Sequence, residues 1–152
     1  MIVLPSKKED ILAWLNLARE VEPLFGPMAD EESFKEALIQ ALGEGNAFCI
    51  KESASGNSPI YGGVVIALAG NEIAWLAVST SCRGQGAGTM LLAYAIERLD
   101  HTIPVKVVTF AKGVIEGLPA RKLYWKFGFR DWEPAGKNPA GFPVVLMVRE
   151  SS

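Results

Sequence analysis

Apolar residues recur along this chain first at helical spacing, then in short extended runs, then in alternating helical and extended blocks. Ile2 to Leu4 is a brief extended start ending at Pro5. Ser6 to Glu9 reads Ser-x-x-Glu, a capping-box pattern that opens a helix. Ile11, Trp14, Leu15, Ala18 and Val21 keep one apolar face until Pro23, where the helix is expected to stop. A Pro- and Gly-rich bend carrying Leu24, Phe25 and Met28 follows. Near Asp30 a second helix begins, with Phe34, Leu38, Ala41 and Leu42 on one face and Gly43 as its C-terminal stop.

The middle of the chain changes period. AFCIKE and IYGGVVIAL are short β-type runs separated by SASGNSP, which reads as a hairpin loop. Ala69-Gly70-Asn71 turns the chain into EIAWLAVS, making three successive antiparallel strands. After a glycine-rich turn, a helix with Met90, Leu91, Tyr94, Ala95 and Leu99 as core positions runs to about Asp100. VKVVTF is a fifth strand, apolar enough for a central parallel neighbour. LPARKLYWKF is a short helix with Pro119 in its first turn. GFRDWE and FPVVLMVRE form a closing strand pair around the loop PAGKNPAG. This order predicts an α+β fold: a mixed, mostly antiparallel sheet of six or seven strands, about four helices and a central βαβ crossover. No repeat or long linker divides it, so residues 1–152 are expected to be one domain.

The chemistry sits at the crossover. Gly84, Gly86 and Gly88 lack a Cβ, so the backbone there can take positive φ and bring successive N–H groups onto one concave side. The helix behind adds its unpaired first-turn amides and the positive end of its dipole. Such an assembly suits a phosphate or diphosphate, and Arg83 adds a permanent charge beside it. A dinucleotide fingerprint fails because Thr89 stands where its last glycine is required, and no Lys follows for a nucleoside-triphosphate loop.

Composition narrows the setting. A chain of 152 residues, 49% hydrophobic and 21% charged, can bury a real core. Its net charge of −2 argues against a nucleic-acid surface or a polybasic membrane patch. There is no apolar run of membrane-spanning length and no signal-peptide core, which points to the cytoplasm. The two cysteines, Cys49 and Cys82, make neither a disulfide framework nor a metal set. His101, the one histidine, follows the third helix and reads as a solvated helix-end residue.

Arg83, Gly86 and Gly88 in R-x-x-G-x-G resemble the diphosphate signature of the GNAT superfamily of N-acetyltransferases. ARKLYWKFGF, residues 120–129, resembles the family's second signature, A-x-x-L-Y followed by x-x-G-F. The two signatures and the element order cover roughly residues 45–150. The resemblance implies acetyl-CoA as co-substrate, no metal, and an amine acceptor that is a small molecule or a peptide. It implies that the run Arg83, Gly84, Gln85, Gly86, Ala87, Gly88 and Thr89 binds the diphosphate. Backbone groups of Leu76, Ala77 and Val78 hold the pantetheine arm where the fourth strand parts from the fifth. Tyr124 stands at the general-acid position, a phenol with an ordinary pKa of about 10. Glu72 matches the base of the histone-lysine branch; even spacing would set it with Ala74, Leu76 and Val78 on one strand face. Dimers are common in the family.

Other readings stand beside these. Glu72 also reads as a solvated charge at a strand start, and Tyr124 as a core tyrosine. Trp14, Phe25 and Trp75 fit either packing or an acceptor pocket. Many family members carry Asn where this chain has Gly117, so one cofactor contact is lost or replaced. An enzyme is the favoured class; its rival is a non-catalytic acyl-CoA-binding sensor or interaction module on the same fold.

Overall fold

A computed structural model of the chain describes residues 2–53 and 58–151. Its elements run β1 (Leu4–Pro5), α1 (Ile11–Phe25), α2 (Glu32–Glu44), β2 (Ala47–Lys51), β3 (Ile60–Ala67) and β4 (Glu72–Val78). Then follow α3 (Ala87–Glu97), β5 (Val105–Phe110), α4 (Leu118–Lys126), β6 (Phe129–Lys137) and β7 (Pro143–Arg149). All strands join one seven-stranded sheet in the order β1-β2-β3-β4-β5-β7-β6. Every neighbouring pair is antiparallel except β4 and β5, which the α3 crossover makes parallel. This is the α+β mixed sheet that the order of periods predicts.

Helices cover both faces. Trp14 and Leu17 of α1 and Leu38 and Leu42 of α2 pack on one face with Cys49, Val65 and Trp75. On the other, Leu91, Leu92 and Ile96 of α3 and Tyr124 of α4 pack with Ile50, Val64, Val107 and Met147. Gly62 and Gly63 let both helices approach β3. A Cβ on Gly63 would lie 2.4 Å from the Trp14 ring, and one on Gly62 would lie 2.9 Å from Leu91. Any side chain at either position would push a helix off the sheet.

The sequence reading needs correction at several element ends. Ser6 does not cap a helix; it is buried, and its hydroxyl accepts the Trp14 indole N–H at 3.0 Å. The carboxylate of Asp10 takes the Lys7 amide instead, at 2.8 Å. Pro23 does not stop α1, which continues to Phe25 and ends at Gly26 with φ 99°. Proline removes only its own bond to the preceding turn, and at the helix end the Gly26 amide still reaches the Glu22 carbonyl at 2.7 Å. Gly43 lies inside α2, and Gly45, in the left-handed region at φ 77°, is its terminator. β6 extends through Pro134 to Lys137 by means of two register shifts, shortening the expected loop. On β5, Val108 is 53% exposed, because α1 and α2 do not reach across that part of the sheet. The expected 53–59 hairpin loop lies largely outside the described residues, at 54–57.

One buried charge pair ties the N-terminal segment to the sheet. Lys51 Nζ lies 2.8 Å from Asp10 Oδ1, with side chains only 7% and 2% exposed. Removing one member of such a pair leaves the other charge buried without compensation. Lys51→Met is expected to cost about 3–5 kcal/mol by denaturant unfolding. The joint Asp10→Leu, Lys51→Met variant is expected to recover most of that loss; recovery of none would refute the account.

Candidate functional site

The site is a defect in the sheet. Against β3, Val65 pairs with Trp75 but Ile66 pairs with Ile73, so Ala74 is an extra residue in β4. A bulge bends its strand and ends regular pairing. Against β5, the register holds only at Glu72↔Lys106 and Ile73↔Val107; from Ala74 onward β4 has no partner on that side. The strands part, and a cavity of about 360 Å³ fills the opening. It runs through the sheet, from Tyr124 and Ala120 of α4 to Phe25 of α1 and Asn138 of the β6–β7 loop.

Which backbone groups face the gap follows from the ladder. The Ser79 amide bonds the Tyr61 carbonyl at 2.8 Å, so these two form a hydrogen-bonded pair. Such pairs alternate along an antiparallel ladder, and therefore Ala77 turns its N–H and C=O toward β3. The main-chain groups of Leu76 and Val78 point into the gap. Of the three residues expected to hold an extended ligand, only Leu76 and Val78 offer backbone groups to one, and Ala77 does not.

A short turn at Thr80–Cys82 leads from the end of β4 into the glycine bend. Gly84 and Gly86 take φ of 80° and 83°, and nothing lies within 4 Å of where a Cβ on either would stand. Gly86 is the N-cap of α3. Residues 83–86 form a turn; among the described residues the amides of Gly84, Gln85 and Gly86 have no close backbone acceptor, and those of Ala87, Gly88 and Thr89 open the first turn of α3, ahead of any full helical bond. Ala87 is buried, while Arg83, Gly84, Gln85, Gly86 and Thr89 are exposed. Outward amides at a helix start make a receptacle for an anion. Gly88 lets α4 approach: a Cβ there would lie 3.1 Å from Leu123. Arg83 Nε reaches back to the Val78 carbonyl at 3.4 Å, keeping its charge beside the bend.

Glu20, which sequence reasoning passed over, anchors the approach to the bend. Its carboxylate accepts the Thr80 amide at 2.6 Å, the Thr80 hydroxyl at 3.1 Å and the Ser79 hydroxyl at 3.0 Å. Partial burial raises its pKa, but these hydrogen bonds and the Arg83 charge prevail and hold it below the usual glutamate value. Helical periodicity marks Glu20 only as a polar position on α1; its partners lie about sixty residues away in sequence.

Tyr124 is buried at 4% exposure and lines the gap. Its ring meets Phe129 edge-on at 5.5 Å. Burial pushes its phenol well above the ordinary tyrosine value, and no charged neighbour opposes that shift. Among the described residues its hydroxyl has no hydrogen-bond partner in the protein.

Glu72 is placed differently from expectation. Because Ala74 is inserted, the alternation reverses, and Glu72 does not share a face with Leu76 and Val78. Its carboxylate folds back over the preceding turn, about 3.1 Å from where a Cβ on Gly70 would lie, and it does not line the gap. Nor do the other acids bordering the region. Glu22 accepts the Met28 and Ala29 amides at 2.7 and 3.0 Å, and Asp30 pairs with Arg19 at 3.1 Å.

On the α1 side the walls are aromatic. Phe25 stacks on Phe110 at 5.9 Å and meets Trp75 at 6.3 Å, while Phe110 meets Phe142 at 5.8 Å. Trp75 separates the gap from a second cavity of about 180 Å³, lined by Trp14, Phe34, Ala37, Leu38, Val65 and Ala74. Its indole N–H is buried without a hydrogen-bond partner among the described residues.

The model of the acetyltransferase (GNAT) domain matches residues 44–131, more than half of the chain and inclusive of both signatures. The chain belongs to the GNAT acetyltransferase family. Solved structures share the fold along its full length. A GNAT-family acetyltransferase from Bacillus cereus ATCC 10987 is 17% identical with a TM-score of 0.72, covering 99% of this chain and 96% of that one. The ribosomal-protein-S18-alanine N-acetyltransferase of Escherichia coli is 15% identical with a TM-score of 0.70, covering 99% and 93%. A PaiA N-acetyltransferase from Thermoplasma acidophilum, in complex with coenzyme A, is 16% identical with a TM-score of 0.70, covering 97% of each chain. No curated protein matches the sequence. Among the described residues, no helix is long and apolar enough to cross a membrane.

Gly117 is required by packing. A Cβ on it would lie 2.2 Å from the Phe110 Cβ and 2.6 Å from the ring, and its φ of −91° is open to any residue. Sterics alone therefore exclude a side chain: Phe110 occupies the space an Asn would need. Gly117→Asn is expected to lower stability by about 1–3 kcal/mol through overpacking. Pairing it with Phe110→Gly, which removes the clashing Cβ and ring together, is expected to restore part of the loss in thermal or denaturant unfolding, and purely additive losses would speak against the steric cause.

Proposed function

We propose that this chain is an acetyl-CoA-dependent N-acetyltransferase, one domain over residues 1–152, in which a primary amine attacks directly and Tyr124 is the general acid. The observation that carries this reading is the parting of β4 from β5, with Tyr124 on one wall and unpaired amides at the bend beyond. The coenzyme A held by the Thermoplasma acidophilum structure supports the same ligand here.

When bound, acetyl-CoA supplies an acetyl group activated as a thioester. The amides from Gly84 to Thr89, together with Arg83, bind the diphosphate. Leu76 and Val78 present strand-like backbone groups to the pantetheine amides. One N–H of that edge stabilises the carbonyl oxygen as it gains charge, an effect of roughly 3–4 kcal/mol for one donor. The new N–C bond forms as the C–S bond breaks, and the sulfur takes the Tyr124 hydroxyl proton. Solvent then reprotonates Tyr124. Among the described residues no carboxylate lines the gap, and in this reading the proton of the amine leaves to water. Burial makes the phenol a weaker acid, but the same apolar lining also raises the proton affinity of the departing thiolate. The transfer between them thus remains close to balanced.

Coenzyme A release measured with a panel of amines tests the proposal. Tyr124→Phe is expected to lower kcat by about 10²–10⁴-fold with little change in KM for acetyl-CoA. Because burial raises the phenol pKa, its proton-donating form is fully present through neutral pH and into the alkaline range. The rate should therefore rise as the amine loses its proton and then level off, with no fall from tyrosine ionisation before pH of about 10. Glu72→Gln is expected to change kcat/KM by less than about threefold. Tight acetyl-CoA binding without turnover of any amine would instead favour the sensor reading.

A further inference from the structure

The acceptor end of the gap carries enough chemistry to name a substrate class. Resting on the acyl-transfer reading above, we propose that the acceptor is a compact primary amine on an aromatic or branched apolar body, carrying a carboxylate and no second cation.

Three observations point there. The first is enclosure. Gly26 and Pro139 approach so closely that a Cβ on Gly26 would lie 2.4 Å from the proline Cβ. Asn138 Nδ2 donates to the Leu24 carbonyl at 3.0 Å, while its Oδ1 accepts the Ala140 and Phe142 amides at 3.0 and 3.1 Å. The end of α1 and the β6–β7 loop thus form a fixed roof, and an extended peptide has no open groove on that flank. The second is the apolar lining. Phe25, Trp75, Phe110 and Val144 line the gap itself, whose volume of about 360 Å³ exceeds the roughly 150 Å³ that accommodates one benzene ring. The third is charge. Among the described residues Lys137 is the charged one lining the gap, and no ion pair to it occurs. Glu22 and Asp30 are engaged elsewhere. A polycation entering here would meet one positive charge and no counter-charge, whereas a carboxylate would meet Lys137.

The test compares four acceptors on the full chain with saturating acetyl-CoA: phenylalanine, 2-phenylethylamine, spermidine and a lysine-bearing peptide. Phenylalanine is expected to exceed spermidine and the peptide in kcat/KM by at least about tenfold. Lys137→Glu, an exposed position, is expected to lower the phenylalanine to 2-phenylethylamine ratio by about tenfold or more. Preference for spermidine or the peptide overturns the proposal, as does an unchanged ratio in Lys137→Glu. Acetyl-CoA binding by titration calorimetry with turnover of neither aromatic amine also overturns it, while leaving the cofactor assignment standing. Failure to bind acetyl-CoA at all would bring down the acyl-transfer reading itself.

Discussion

One extra residue in one strand decides most of this molecule. Ala74 breaks the pairing of β4 with β5, and an interior strand acquires a free edge in the middle of a seven-stranded sheet. Free edges invite pairing and are ordinarily covered or blunted. Here the edge is kept from closing by what stands on each side. Tyr124 and Ala120 approach from the α4 face, and Phe25 and Trp75 fill in from the α1 face. β4 stays in place because β3 holds its other edge, and because Gly62 and Gly63 let α3 and α1 clamp β3 from opposite faces. The opening is therefore a built feature with rigid walls, suited to an extended ligand that supplies the missing strand contacts.

The aromatic wall on the α1 side has a structural consequence at a distance. Phe110 ends β5, and its ring lies between Phe25 and Phe142. That position leaves no volume at the start of α4, and Gly117 is the residue that accommodates it. The absence of a side chain at residue 117 is thus coupled to packing on the α1 side of the sheet. A bulky β5 terminus and a missing side chain at residue 117 are two halves of one arrangement. The start of α4 carries no side chain at residue 117, and Phe110 contributes to an apolar boundary of the gap.

The layout was legible from periodicity because each element has a clean apolar face. Ile11 to Val21 and Phe34 to Leu42 announce their helices, and the strands between them carry short apolar runs. The bend was legible because only glycine takes φ near 80° without strain, so its spacing shows in the sequence. What escaped was set by tertiary contact. Ser6 resembles a helix cap until Trp14 claims its hydroxyl, and Pro23 resembles a helix stop although only one turn-closing bond is lost. The bulge has no sequence signature in EIAWLAVS, so the period-2 argument placed Glu72 on the wrong face. Glu20 and the Asn138 roof join residues far apart in the chain, and no local pattern reports such pairs.

The helix α1 contacts both ends of the opening. Glu20 holds Ser79 and Thr80, which lead into the bend, and four residues later the Leu24 carbonyl is held by Asn138 at the roof. Glu20 and Leu24 are four residues apart, so these two anchor points lie about one turn from each other along α1. Pro23 lies between them and stiffens that turn by fixing its backbone. The distance between the loop ahead of the bend and the β6–β7 loop is thereby set by a single rigid turn. A ligand threading the gap would be measured between those two loops by a stretch of helix that itself carries no catalytic group. Substitutions that leave Glu20 and Leu24 in register preserve this gauge, whereas those that unwind the turn release both ends together.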